Sequence, residues 1–145
     1  MTFKEKSIVV FSANRGYALL SSRKHLIQHF LRGGWTVVLA TADDAESRSL
    51  AEMGAQLEPI VFNRGGLSPV SDWKAYRRLL GIYDRWQPSL IQHFHAKPVI
   101  LGTLAARQAL GNAVRISNAI TGLGHAFITG GLGARLAGWG YSASM

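Results

Sequence analysis

A chain of 145 residues can bury one core as one domain, and 48% hydrophobic against 17% charged residues excludes a disordered tail or a fibrous repeat. The absence of cysteine excludes disulfide staples, thiolate-held zinc and thiol catalysis, and no apolar run is long enough to span a bilayer. A net charge of +8 asks for an anionic partner: nucleic acid, lipid headgroups or a phosphorylated substrate.

Lys4, Glu5 and Lys6 precede the first strand without the apolar stretch of a signal peptide, so the expected compartment is the cytoplasm. Residues 7–12 form a β-branched and aromatic run, the expected first strand. Asn14-Arg15-Gly16 makes a turn. From 19 to 32 apolar residues recur at helical spacing and Gly33-Gly34 stops them, leaving Arg23, Lys24, Gln28 and Arg32 for the outer side or a cleft. Residues 36–41 are a continuous apolar strand of the kind buried on both faces of a parallel sheet. Asp43-Asp44 then caps a helix over 45–53, ended by Gly54.

A third strand is expected over 56–62, followed by the long connection 63–69. Asp72 is expected to cap a helix that runs to Trp86, with Trp73, Tyr76, Leu80 and Tyr83 on one side and Lys74, Arg77, Arg78 and Arg85 mostly on the other. After the Gln87-Pro88 break, the fourth strand leads into His93-Phe94-His95. Lys97-Pro98 opens a helix over 99–110 with Gly111 at its cap, and a fifth strand over 114–120 runs into Thr121-Gly122-Leu123-Gly124. Beyond Gly124 the glycine-rich remainder is ambiguous. Alternating strands and helices predict an α/β, Rossmann-like, doubly wound parallel sheet with helices on both faces and strand order 3-2-1-4-5. The polar turns after the fourth and fifth strands then lie side by side at the sheet's carboxyl edge, where such sheets bind ligands.

His93 and His95, two apart on a strand, face the same way as metal ligands must. A third ligand is lacking, so hydrogen bonding in the core or the cleft is the preferred reading and no metal is expected. Lys97 opposes the dipole of the helix it opens, which leaves it to meet a phosphate or sugar hydroxyl, or simply solvent. Gly122 and Gly124 either turn the chain or allow close backbone approach of a ligand, and their place at a strand's carboxyl end favours the second. The face made by Lys74, Arg77, Arg78 and Arg85 is either solvated or meets an anionic membrane surface.

Three blocks carry a family resemblance: Ser22-Arg23 through residues 34–41; His93-Phe94 with Lys97-Pro98-Val99-Ile100, Gly102 and Leu104-Ala105-Ala106-Arg107; and Asn118-Ala119-Ile120-Thr121-Gly122-Leu123-Gly124. Together they resemble the N-terminal domain of bacterial retaining GT-B glycosyltransferases of the group 1, or family 4-like, type that build surface polysaccharide and lipopolysaccharide. The resemblance implies that residues 1–145 are a single acceptor-side domain whose C-terminal, donor-binding partner is absent. It also implies a nucleotide-sugar donor held mainly by that absent domain, no cofactor in this one, and a glycan or lipid-linked acceptor. By the same resemblance Asn14, Arg15, Gly16, Arg23, His93, His95, Lys97, Thr121, Gly122 and Gly124 are the ligand-binding candidates. Where many relatives carry a Gly-Gly turn this chain has Asn14-Arg15-Gly16, and Ser22 stands where relatives often have histidine.

Three other readings compete. A nicotinamide-dependent dehydrogenase would need Gly-x-Gly-x-x-Gly after the first strand, and residues 12–17 contain one glycine. A nucleic-acid-binding module would account for the charge, but no recognition-helix or RNA-binding pattern is present, and nucleic acid is not the expected partner. A sugar-nucleotide epimerase shares the two-domain architecture and differs in needing no acceptor.

Overall fold

The computed structural model describes residues 7–63 and 65–119. In chain order these form β1 (Ile8–Ser12), α1 (Gly16–Arg32), β2 (Thr36–Thr41), α2 (Ala45–Glu52), β3 (Gln56–Pro59), α3 (Pro69–Trp86), β4 (Leu90–Phe94), α4 (Ala96–Leu110) and β5 (Arg115–Ala119). All strands are parallel and their order is β3-β2-β1-β4-β5, the doubly wound arrangement that the alternation predicts.

Period-two alternation along the central strands builds two cores. Val9, Phe11, Val37, Leu39 and Phe94 point to the layer formed by α1 and α2. Val10, Val38, Ala40 and Ile91 point to the opposite layer, formed by α3 and α4. Burial on both faces explains why β1 and β2 read as unbroken apolar runs.

Several boundaries differ from the sequence expectation, each for a local reason. β3 ends at Pro59 rather than at residue 62; Pro59 is tolerated because it faces the open edge, the Ile60 N–H still donates to the Thr41 carbonyl at 3.0 Å, and Ile60 and Phe62 enter the core as a loop. α3 begins at Pro69, with Ser68 as N-cap, so Asp72 lies one turn inside and is not the cap. Proline's fixed φ suits that first turn. Asp72 instead reaches back, its Oδ2 accepting from the Ser68 N–H at 3.4 Å. α1 starts at Gly16 and α4 at Ala96, each about one turn before the predicted start. Pro98 fits inside the first turn of α4 because those N–H groups have no helical partner.

The capping predicted for α2 is present. The Asp44 side chain accepts from the Ser47 N–H at 2.8 Å, while the Asp44 N–H donates to Ser47 Oγ at 3.0 Å. Asp44 Oδ2 also accepts the Gly16 N–H at 2.9 Å, so one carboxylate ties together the starts of α1 and α2. A side chain at Gly16 would collide with Asp44 and Ser47, which is why glycine stands there. Partial burial by itself would raise the Asp44 carboxyl, but the N–H groups of Ser47 and Gly16, with Arg15 nearby, outweigh it and hold the acid below its usual range. Asp44→Ala should therefore destabilise the domain by about 1–2 kcal/mol in urea unfolding at pH 7, a helix-cap loss enlarged by the orphaned Gly16 N–H. An unchanged midpoint would contradict this double role.

Candidate functional site

The strand order reverses between β1 and β4, so the chain leaves these neighbouring strands toward opposite layers. In a doubly wound sheet this switch point, at the carboxyl ends of the two strands, is where a ligand crevice forms. Its walls are the turn after β1 and the residue after β4. The Asn14 N–H donates to His95 Nδ1 at 3.3 Å and joins the two walls. With Nδ1 accepting, the neutral imidazole carries its proton on Nε2. His95 has φ of 76°, a left-handed backbone that a side chain disfavours. The Asn14 Oδ1 and the Ser12 Oγ are buried here without hydrogen-bond partners among the described residues. On the other side of the crevice the Arg23 guanidinium lies 4.8 Å from the centre of the Phe94 ring, at the end of β4.

Asn14, Arg23 and His95 thus gather where β1 and β4 end, one strand over from the β4–β5 edge at which the sequence places the cleft. Arg15 is exposed beside them and, with Tyr17, Ala42, Asp44 and Glu46, lines an adjoining cavity of about 550 Å³. Gly16 serves packing rather than ligand approach. Thr121, Gly122 and Gly124 lie outside the described residues.

His93 and Lys97 are placed otherwise. His93 does not share the crevice with His95, because the chain turns at His95 and the two rings part. The His93 ring is fully buried under α4 and α3. The Tyr83 hydroxyl lies 2.7 Å from its Nε2, and its Nδ1 lies 2.8 Å from Asn118 Oδ1. Asn118 Nδ2 in turn donates to Thr103 Oγ1 at 3.3 Å. Read in one direction, Tyr83 donates to the neutral ring, the ring donates to Asn118 and Asn118 donates to Thr103, so every member is satisfied. The chain joins α3, β4, β5 and α4. Burial pushes the imidazole pKa down to about 4 against the opposing pull of Asn118, and burial also raises the Tyr83 hydroxyl. His93 is therefore a core histidine. Among the described residues no group of three or more His, Cys, Asp or Glu side chains could hold a metal.

Lys97 is occupied as well. Its ammonium donates to Asp72 Oδ1 and to the Gly66 carbonyl, both at 2.5 Å, and so pins the 63–68 connection to the start of α4. The pair is mostly buried, so removing one partner leaves the other's charge uncompensated. Lys97→Ala should lower stability by about 1–2 kcal/mol, read as a lower thermal midpoint, since it leaves Asp72 without its counter-charge. An unchanged midpoint would show that the pair does not hold the connection.

The basic face expected on α3 divides in two. Arg85 Nη1 lies 2.9 Å from Glu58 Oε1 and Arg78 Nη2 3.3 Å from Glu58 Oε2, while Arg78 Nε also donates to the Pro59 carbonyl at 3.0 Å. These two arginines clamp the edge strand β3. Lys74 and Arg77 form no salt bridge among the described residues. Tyr83 also departs from its expected face: it is fully buried with Ala75, Leu79 and Ile82, whereas Trp73 is exposed.

Sequence reasoning missed Ser12 and Tyr83 as polar groups set in the interior, and the half-buried Asn118 as the partner of His93. One signal was present, since a tyrosine at an inward helical position must find a partner for its hydroxyl.

A doubly wound parallel sheet of this order defines a Rossmann-like domain. The Glycosyl transferase 4-like family model matches residues 8–133, and the chain belongs to that family. No curated protein sequence matches it. Among solved structures it is similar to the Acinetobacter baumannii MurG, with TM-score 0.56 and 16% identity over 78% of this chain and 34% of that one. It is also similar to the glycotransferase of kitacinnamycin, with TM-score 0.56 and 14% identity over 79% of this chain and 30% of that one. The calicheamicin glycosyltransferase CalG4 gives TM-score 0.54 and 14% identity over 79% and 32%. At these identities the likeness is one of fold. The chain spans about a third of the length of each of these structures.

Proposed function

We propose that this chain is the acceptor-side half of a two-domain GT-B glycosyltransferase. The enzyme moves a sugar from a nucleotide-sugar donor to a lipid-linked or polysaccharide acceptor of the surface-glycan type, with retention of anomeric configuration, at the cytoplasmic face of the membrane. The observation that carries the reading is the switch point between β1 and β4, where Asn14 and His95 meet and the buried Asn14 Oδ1 has no hydrogen-bond partner among the described residues. An unpaired buried carbonyl costs about 1–3 kcal/mol, which a ligand hydroxyl donating to it would recover. His95 and Arg23 flank that position with a polar ring edge and a guanidinium, groups suited to the remaining hydroxyls of an acceptor sugar. Donor contacts belong mainly to the second domain, and no side chain of this chain is assigned the transfer step.

The test uses a reading frame that carries this chain together with a second α/β domain, supplied with sugar nucleotides and lipid-linked or glycan acceptors. Asn14→Ala should raise the acceptor KM and lower kcat/KM roughly ten- to hundred-fold, the equivalent of about 1.5–3 kcal/mol, with little change in melting temperature. Unchanged acceptor kinetics would remove the crevice from the acceptor site. Turnover of the sugar nucleotide without acceptor would favour an epimerase, and an inverted product anomer, read by NMR, would overturn retention. The 145-residue chain alone should transfer nothing and bind nucleotide sugars at best with millimolar affinity, about −4 kcal/mol by calorimetry.

A further inference from the structure

The cavity of about 550 Å³ beside the switch point has a lining unlike the rest of this basic chain. Three of the eight acidic residues, Asp43, Asp44 and Glu46, fall within four positions around the start of α2, and Asp44 and Glu46 line the cavity. Asp44 is held as a carboxylate by the N–H groups it accepts from. Arg15 and Tyr17, from the start of α1, complete the polar lining, and Tyr17 is 63% exposed. Neither the Arg15 guanidinium nor the Glu46 carboxylate is in a salt bridge among the described residues.

This composition selects the ligand. Two carboxylates against one guanidinium leave the cavity with a negative balance, which repels a phosphate or a nucleotide. A purely apolar ligand would strip water from charged groups and return no hydrogen bond. A neutral sugar meets both conditions: its hydroxyls donate to carboxylates and accept from a guanidinium, while its C–H face lies against an aromatic ring. The volume is also in the range of small-molecule sites.

We infer that the cavity lined by Arg15, Tyr17, Asp44 and Glu46 is a subsite for an uncharged pyranose. Tyr17 is its stacking platform, Glu46 and Asp44 accept from its hydroxyls, and Arg15 donates. Beside Asn14, the subsite holds the sugar next to the one that receives the transferred residue, so the acceptor is a glycan of at least two sugars. That placement rests on the proposed transfer function; binding of a free sugar in the cavity does not.

The test has two arms. In the first, the isotope-labelled 145-residue chain is titrated with maltose, cellobiose and lactose, with glucose 6-phosphate as the anionic control, and followed by amide NMR. At least one disaccharide should shift the amides of residues 15–17 and 42–46 with millimolar affinity, and glucose 6-phosphate should not. Tyr17→Ala and Glu46→Gln should each weaken that binding at least about tenfold, whereas Asp43→Asn, outside the lining, should change it by less than about twofold. No shift with any disaccharide, an equal response to glucose 6-phosphate, or binding undiminished in both variants would overturn the subsite. In the second arm, the two-domain enzyme carrying Tyr17→Ala should show an acceptor KM raised about tenfold. If Asn14→Ala impairs transfer while Tyr17→Ala and Glu46→Gln leave the acceptor KM unchanged, the subsite falls and the transfer reading stands. If the cavity binds disaccharides and no acceptor is glycosylated, the transfer reading falls and the sugar site stands.

Discussion

Gly102→Ala should lower the midpoint of thermal unfolding by roughly 10 °C, a cost of about 3 kcal/mol for one methyl group. Ordinarily glycine to alanine inside a helix is stabilising by nearly 1 kcal/mol, so the expected sign is the reverse of the propensity. A Cβ at this position would fall against the His93 imidazole, with the ring Nε2 the nearest atom. The ring has no room to retreat, because Tyr83 and Asn118 hold its two nitrogens. Either α4 lifts off the sheet or the buried hydrogen bonds break, and both are expensive in a close-packed interior. A double-mutant cycle isolates the cause. In a His93→Ala background the space is open, and Gly102→Ala should cost close to nothing, giving a coupling of at least 2 kcal/mol. If Gly102→Ala proves as stable as the parent, the helix does not rest on the ring.

Acidification should unfold the domain through the same histidine. In the folded state the His93 pKa is pushed down to about 4, whereas an unfolded histidine titrates near 6.5, so between these values the unfolded chain binds the extra proton. Stability then rises with pH across this window, is fully present above about pH 6.5, and is lost as the pH falls toward 4. The full loss is about 3 kcal/mol. Urea midpoints at pH 7.5, 6.0, 5.0 and 4.2 measure it, and His93→Gln should start lower but flatten the dependence. Equal pH dependence in parent and variant would place the acid sensitivity elsewhere. Tyr83 works in the opposite direction. Its folded pKa is raised by burial, so its contribution is present below the unfolded tyrosine value near 10 and fades as the pH climbs beyond it.

The network behind both predictions also fastens β5, an edge of the sheet among the described residues. Asn118 stands opposite His93 in the ladder and Thr103 lies above it on α4, so the fifth strand is held by side chains as well as by backbone. At the other edge Glu58 does the same through Arg78 and Arg85. Cations that looked available for a partner are thereby used to fasten an exposed strand, which protects it from pairing with another chain.

The sequence by itself determined the architecture. Five strand runs separated by helical runs, the buried character of residues 36–41, the acidic cap at Asp44 and the right-handed crossover rule are enough for the order β3-β2-β1-β4-β5. Membership of the glycosyltransferase family was likewise legible in the blocks around His93 and Asn118. Periodicity says which face a side chain takes and composition says how much charge there is, but neither says what stands opposite. Tertiary structure alone decided that Lys97 meets Asp72, 25 residues away, that Arg85 meets Glu58 across 27, and that His93 turns into the core while His95 turns out. Each of these depends on two elements distant in the chain being brought within about 3 Å, a distance set by how helices seat on the sheet. Whether a lysine or a histidine is a ligand or a strut is settled by that seating, because a buried charge or ring nitrogen takes whichever partner lies within reach.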